Sequence, residues 1–313
     1  MEARVQEILG QAGTKTAKIQ KLILLGITRT QIAELVTNGN YGFVQNVYAK
    51  MKREGLLTQA PAQSQPRALD FMNRRFGVEF EACNVQKEVL NRALNAAGVT
   101  CEVEGYNHTT RAHWKIVTDS SLSGNNTFEL VSPVLNGEEG ISELQTVCRV
   151  LTECGAKVNK SCGTHVHIDA AGFTLDQWKR IYINYSRLEA TIDAFMAKSR
   201  RGSNNTYSRS LNNINGLERK VNACNSLSEI ARVFHNDRYY KVNPISYSRH
   251  NTCEFRQHGG TVEFEKISNW IKFVNNLVEL SKTSTINNTE LQQLDFCSAD
   301  MISYLTQRTL KLA

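Results

Sequence analysis

Apolar residues recur with helical spacing through the first fifty positions, and the period then changes. Ile19, Leu22, Ile23 and Leu25 share one side of a helix predicted over 15–25. Thr28 stands where it can cap the next apolar set, Ile32, Ala33, Leu35 and Val36. Asn38-Gly39-Asn40 reads as a turn. Phe43, Val44, Val47, Tyr48 and Met51 mark a third helix over 41–53. Short helices joined by tight turns form the helix-turn-helix pattern, with 41–53 in the place of the recognition helix. Gln45, Asn46, Lys50, Lys52 and Arg53 are its candidate contacts to bases or phosphates. Residues 58–68 hold two of the four prolines and few large apolar groups, so they read as a linker. The expected organisation is a helical module at 1–57, the linker at 58–68 and a larger domain at 69–313.

Beyond the linker, alternating segments are interleaved with helical ones. Strands are predicted at 75–82, 100–104, 113–118, 126–132, 157–160, 163–169, 240–243 and 252–257. Helices are predicted at 86–97, 140–154, 175–195, 264–281 and 289–307. Residues 198–216, rich in Arg, Ser, Asn and Tyr with little periodicity, read as an ordered loop or a lid. This order predicts an α+β fold, an antiparallel or mixed sheet with helices on one side. The other face has to stay open, because three of the strands carry polar pairs at i and i+2, which point the same way in a strand. The pairs are Glu79 with Glu81, His165 with His167, and Glu254 with Arg256. Phe80, Val166 and Phe255, between them, point into the apolar layer.

Composition and charge narrow the class. The chain has 313 residues, of which 41% are hydrophobic, enough for a substantial core. No run of 18 apolar residues exists, so no spanning helix and no membrane partner are expected. The first residues lack a signal-peptide pattern, and eight cysteines form no CxxC pair. Reduced thiols and a cytoplasmic location are the expectation. The net charge of +7 is unevenly spread: residues 1–75 hold 11 Lys/Arg and 5 Asp/Glu, the remainder 26 and 25. The excess belongs to the N-terminal quarter. It suits an anionic partner for that quarter, nucleic acid or protein, and equally suits a solvated helical surface.

The polar pairs point to a metal and a phosphoryl group. Two carboxylates brought together repel unless a cation separates them or one is protonated. Glu129 supplies a third carboxylate and Glu254 a fourth. Such a set favours Mg²⁺ or Mn²⁺, and His165 adds weight to Mn²⁺ or Zn²⁺. Arg256 is suited to bidentate contact with a phosphoryl group, and Arg200 and Arg201 are placed to close over the same anion.

Five segments then carry a family resemblance. They are Phe76-Gly-Val-Glu-Phe-Glu, Trp114-Lys-Ile-Val-Thr-Asp-Ser-Ser-Leu, Glu129-Leu-Val-Ser-Pro, Gly163-Thr-His-Val-His-Ile-Asp and Glu254-Phe-Arg-Gln-His-Gly-Gly-Thr. Together, over about residues 70–275, the chain resembles the amidoligase family, in the carboxylate–amine ligase group related to glutamine synthetase and glutamate–cysteine ligase. The resemblance implies ATP-dependent amide formation, with a small-molecule or peptide carboxylate and an amine as substrates. ATP would phosphorylate the carboxylate, and the amine would attack the acyl phosphate. By the same resemblance, Glu79, His165 and Glu254 hold a metal near the nucleotide phosphates, and Glu81 and Glu129 hold one near the carboxylate and amine. His167 meets nucleotide phosphate, Arg256 stabilises the transferring phosphoryl group, and Asp119 orients the amine or binds metal. No P-loop sequence is present, so a different nucleotide cradle is required.

Three rivals stand beside this reading. A metal-dependent hydrolase would use His165 and His167 with a distant carboxylate, but leaves the surplus carboxylates and Arg256 unexplained. A cysteine hydrolase would use Cys162 or Cys253. A non-catalytic DNA-binding protein would make the polar floor vestigial.

Overall fold

A computed structural model of the protein describes residues 2–25, 27–54 and 72–313. The linker expected at 58–68 lies outside the described residues. The chain divides into two compact units, Met1–Gln65 and Pro66–Ala313.

The first unit contains α1 (Glu2–Gly10), α2 (Lys15–Leu24), α3 (Arg29–Thr37) and α4 (Tyr41–Arg53). Thr28 caps α3 through a reciprocal box with Gln31. Asn38 ends α3 in the left-handed conformation at φ 52°, which a short polar side chain tolerates. Asn40 then caps α4. Ile19, Leu22, Ile32, Ala33, Val44, Val47 and Met51 form a separate small core. The helix α1 was not foreseen from the sequence.

The second unit is α+β. Among the described residues its sheet has eight strands: β1 (Arg75–Ala82), β2 (Cys101–Val103), β3 (Trp114–Val117), β4 (Phe128–Val131), β5 (Leu135–Asn136), β6 (Thr164–Asp169), β7 (Val242–Asn243) and β8 (Thr252–Phe255). The order is β2-β3-β4-β1-β6-β8-β7, with β5 paired to β1. Only β2 and β3 run parallel; every other pairing is antiparallel. Alternation explains the long central strand. Phe76, Val78, Phe80 and Ala82 of β1 are buried in the main core, which leaves Arg75, Gly77, Glu79 and Glu81 for the other face.

Connecting helices are α5 (Lys87–Ala96), α6 (Gly137–Glu153), α7 (Leu175–Phe195), α8 (Leu217–Asn222), α9 (Leu227–Val233), α10 (Tyr247–His250), α11 (Phe264–Ser281) and α12 (Ala299–Leu312). The core side of β8 meets α7 and α11 through Phe255, whose ring lies 5.7 Å from that of Tyr185 and 6.5 Å from that of Trp270. Two expectations change. Residues 157–160 form no strand, and Lys157 makes an isolated bridge to Cys83. The last helix begins at Ala299 rather than near 289, because Ser298 caps it and a 3-10 turn occupies Leu291–Gln293. No helix among the described residues is long and apolar enough to cross a membrane. Cys83, Cys101, Cys148, Cys154, Cys162, Cys224 and Cys253 are free thiols.

Candidate active site

The three strands with alternating polar residues lie side by side, β1 next to β6 and β6 next to β8. Register aligns their side chains into rows. Glu79 faces His165, Glu81 faces Glu129, and His167 faces Glu254. These residues floor a pocket of about 1230 Å³ that Asp119, Lys115, Arg200, Tyr207, Tyr239 and Arg256 also line.

Hydrogen bonds hold the floor. His165 Nδ1 lies 2.9 Å from Glu79 Oε2, and His167 Nε2 lies 3.3 Å from Glu79 Oε1. Glu79 therefore meets an imidazole with each oxygen. Glu81 accepts the Gly163 N–H through Oε2, and its Oε1 lies 3.6 Å from His165 Nε2. A Cβ on Gly163 would stand 3.0 Å from His165 Nε2 and 3.2 Å from Glu81 Oε2, so only glycine leaves this corner uncrowded. Glu254 accepts from Arg256 and from Asn243 Nδ2. Thr252 Oγ1 lies 2.9 Å from His167 Nδ1, fixing the ring with Nε2 toward the floor.

The donor set fits a hard divalent cation. Ligand atoms come within 4.8 Å of one another in three overlapping groups: Glu79, His167 and Glu254; Glu79, His165 and Glu129; and Glu81, Asp119 and Glu129. Oxygen-rich, partly imidazole sets of this kind suit Mg²⁺ or Mn²⁺. The geometry groups His167 with Glu79 and Glu254, and His165 with Glu79 and Glu129. A fourth group, Glu102, Glu104 and His113, lies at the sheet margin. There Arg111 binds Glu104 and holds its carboxyl down near 2, so that carboxylate already has a cationic partner.

Electrostatics single out Glu129. Burial raises its pKa well above the carboxylate range, and Glu79, Glu81 and Asp119 raise it further. Burial also acts to raise Glu79, but hydrogen bonds from His165 and His167 outweigh it and leave Glu79 well below its ordinary value. Burial acts the same way on Glu254, yet Arg256 and His167 overcome it and hold the carboxyl near 2. His167 moves up despite its burial, drawn by Glu254 and Glu79.

These shifts predict a pH profile for the metal-free protein. Glu129 has a folded pKa above its unfolded one, so its contribution is complete below the ordinary carboxyl pKa. That contribution is lost as pH rises through the raised value. Glu254 is depressed, so its contribution is present above the ordinary value and lost as pH falls toward about 2. Melting temperature measured in chelator is expected to fall on the alkaline side of the carboxylate range. Glu129→Gln should flatten that slope, and Mg²⁺ should remove it by taking the place of the proton. A Glu129→Gln profile superimposed on the native one would show that Glu129 is not the titrating group.

The two neighbouring arginines part company. Arg200 is buried, lines the pocket and donates to the Cys162 carbonyl. Arg201 turns away to the carbonyls of Met196 and Leu312, 2.9 Å each. Arg200 ends the 3-10 turn Lys198–Arg200, and Arg201 follows it in extended backbone at φ −92° and ψ 147°, so the pair does not close over one anion together. The loop that carries them is ordered. Lys241, fully buried, bonds Glu189 at 2.8 Å and Asp193 at 2.6 Å. Those carboxylates in turn take the N–H groups of Leu211 and Gly202. Gln257 Nε2 ties the Arg200 carbonyl at 3.1 Å. Arg256, next to Gln257, sends its Nε to the Tyr207 carbonyl at 3.2 Å.

Sequence reasoning passed over Lys115, Thr252 and Asn243. Lys115 is buried on β3, and its Nζ holds the Asn107 and Thr109 carbonyls at 3.0 and 2.8 Å, tethering a loop at the pocket's edge. The signal for Thr252 was available: it stands two residues before Glu254 on the same strand face. Asn243 gave none, since β7 has only two residues. Neither cysteine of the rival hydrolase is activated. Burial raises both the Cys162 and the Cys253 thiol above the ordinary value, the reverse of what a nucleophile needs.

Comparison with known proteins fits this geometry. Among curated proteins none matches the chain. A family model described as "Putative amidoligase enzyme" matches residues 72–278, the stretch that contains every strand of the sheet and all the floor residues named above. That is about two thirds of the 313 residues, and the chain belongs to this family of ligase-type enzymes.

Proposed function

We propose that residues 69–313 form an ATP-dependent ligase that joins a carboxylic acid to an amine through an acyl phosphate. The observation that carries the reading is the Arg256 guanidinium held against Glu254 beside three overlapping acidic and imidazole groups, all on the open face of one sheet. A divalent cation in the Glu79–His167–Glu254 group would neutralise phosphate charge, and one held by Glu81 and Glu129 would bind the acid and leave Asp119 to the amine.

The chain's own residues supply position and charge. Arg256 places a fixed positive charge where the phosphoryl group transfers, and Arg200 adds a second behind Gly163. A carboxylate oxygen of the acid attacks the γ-phosphorus of ATP, and ADP leaves. The amine nitrogen then attacks the acyl carbon, gives up a proton to Asp119, and phosphate leaves with one oxygen from the acid. Asp119 suits that proton transfer because only one of its oxygens is engaged, by the Ser121 N–H at 2.7 Å. The pocket has room for a nucleotide and an acceptor together.

The test is isotopic. Pools of acids and amines are screened for ADP and phosphate release in Mg²⁺, and the productive acid is then labelled with ¹⁸O in its carboxylate. One labelled oxygen should appear in the released phosphate. Product formed without ATP consumption, or label confined to the amide, would exclude the acyl phosphate.

The basic helical module at 1–57 is read as separable from this chemistry, serving a partner and contributing nothing to turnover.

A further inference from the structure

We infer that the N-terminal unit binds double-stranded DNA through the exposed face of α4. The arrangement is that of a helix-turn-helix reader. Helix α2 packs against both α3 and α4, and α3 is joined to α4 by the three-residue turn Asn38–Asn40. Val44, Val47 and Met51 turn one side of α4 into the unit's core. At 100° per residue, the side opposite them is formed by Gly42, Gln45, Asn46, Ala49 and Arg53, with Lys50 and Lys52 flanking it.

That ridge has the chemistry of a groove-reading surface. Gly42 and Ala49 are small, so the helix backbone can approach closely. Gln45 and Asn46 carry amides, which can pair with an adenine edge in the major groove. Arg29, at the start of α3, donates to Gln45 Oε1 at 2.6 Å and lies 4.7 Å over the Tyr48 ring. It thereby leaves the Gln45 amide N–H₂ as a donor. Lys50, Lys52 and Arg53 are exposed, and no acidic residue lies between 35 and 53. Residues 15–53 hold seven Lys/Arg against one Asp/Glu, charge complementary to a phosphate backbone. Tyr41 and Phe43, in the first turn of α4, are its exposed large apolar side chains, and the ridge of Gly42, Gln45, Asn46, Ala49 and Arg53 carries none.

The test uses the full chain. A pool of random duplexes is selected on it, and affinity for the selected and a scrambled duplex is followed by fluorescence anisotropy across salt. The pool is expected to converge on a motif. Lys50→Ala and Lys52→Ala should each weaken binding to both duplexes alike and reduce the slope of log K against log salt by about 0.9. Gln45→Ala and Asn46→Ala should lower the preference for the selected duplex about tenfold or more while leaving scrambled binding unchanged. All four side chains point away from the core, and circular dichroism melts check that the variants fold. Failure of the pool to converge together with no salt-dependent binding at about 50 mM salt overturns the inference. So do binding that the α4 variants leave untouched, single-stranded RNA outcompeting the duplex, and capture of a protein through the exposed Leu24 and Leu35 in place of DNA. ADP release is a separate readout, because every residue assigned to the ligase chemistry belongs to the second unit.

Discussion

Glu79→Gln is expected to remove essentially all ligase turnover, about a thousandfold or more in kcat/KM, equivalent to about 4 kcal/mol in the barrier. Glu79 is the residue most of the floor depends on. It belongs to two of the three candidate ligand groups, and each of its oxygens meets a different histidine. Glutamine keeps the size but removes the charge. Its amide also turns an N–H₂ toward one of the two imidazoles, so one of the present contacts becomes donor against donor or forces a tautomer change. Mn²⁺ affinity, read by calorimetry on the full chain, should fall with activity. Glu81→Gln should be milder on Mn²⁺ at the Glu79–His167–Glu254 group, because Glu81 is not part of it. A Glu79→Gln protein that binds Mn²⁺ as tightly as the native chain and keeps more than about a tenth of its activity would remove Glu79 from the centre of the site.

The floor was legible because a strand's period is simple. Glu79, Glu81, His165, His167 and Glu254 each alternate with a residue that the core takes, and Pro133 and Gly163 stand close to the end of β4 and the start of β6. Once such strands are adjacent, same-face residues have to meet. The order of strands was not in the local pattern. That β1 is flanked by β4 and β6, and not by its sequence neighbours β2 and β3, follows from long-range pairing. Which imidazole shares a ligand group with Glu79 and Glu254 depends on register, and a two-residue difference between His165 and His167 leaves the alternation unchanged.

Features off the strands were harder to read. Arg200 and Arg201 look alike in sequence, and a short 3-10 turn decides that one lines the pocket and the other binds helix-end carbonyls. Lys241, whose two carboxylate partners anchor the 198–211 loop, precedes a two-residue strand with no alternation to reveal its burial. The three short helices α8, α9 and α10 carry too few turns for a period to show. The break before α12 was hidden because apolar residues continue on both sides of the Ser298 cap.

Arg256→Ala is expected to lower kcat about a hundredfold with a smaller effect on the KM for ATP. Removing one preorganised charge from a transition state typically costs about 3 kcal/mol. The split between kcat and KM follows from where the charge is needed. In the proposed transfer, negative charge shifts toward the oxygen that leaves with ADP, a distribution absent from bound ATP, so the guanidinium is expected to matter more in the transition state than in the ground state. Loss of Arg256 also frees Glu254 from the partner that, with His167, holds its carboxyl near 2. Burial then acts on Glu254 with less opposition, and its pKa should rise. The acid limb of the kcat profile should accordingly move to higher pH in Arg256→Ala, a shift that a purely steric defect does not produce. Arg256→Lys should restore the pH limb, since an ammonium also opposes burial at Glu254. It should leave kcat well below native, because a point charge cannot hold Glu254 and also offer a planar pair of donors to a phosphoryl group. An Arg256→Ala enzyme with native kcat and a raised KM would place the guanidinium in ground-state binding. An unmoved acid limb would mean that Glu254 is held down by His167 and its cation alone.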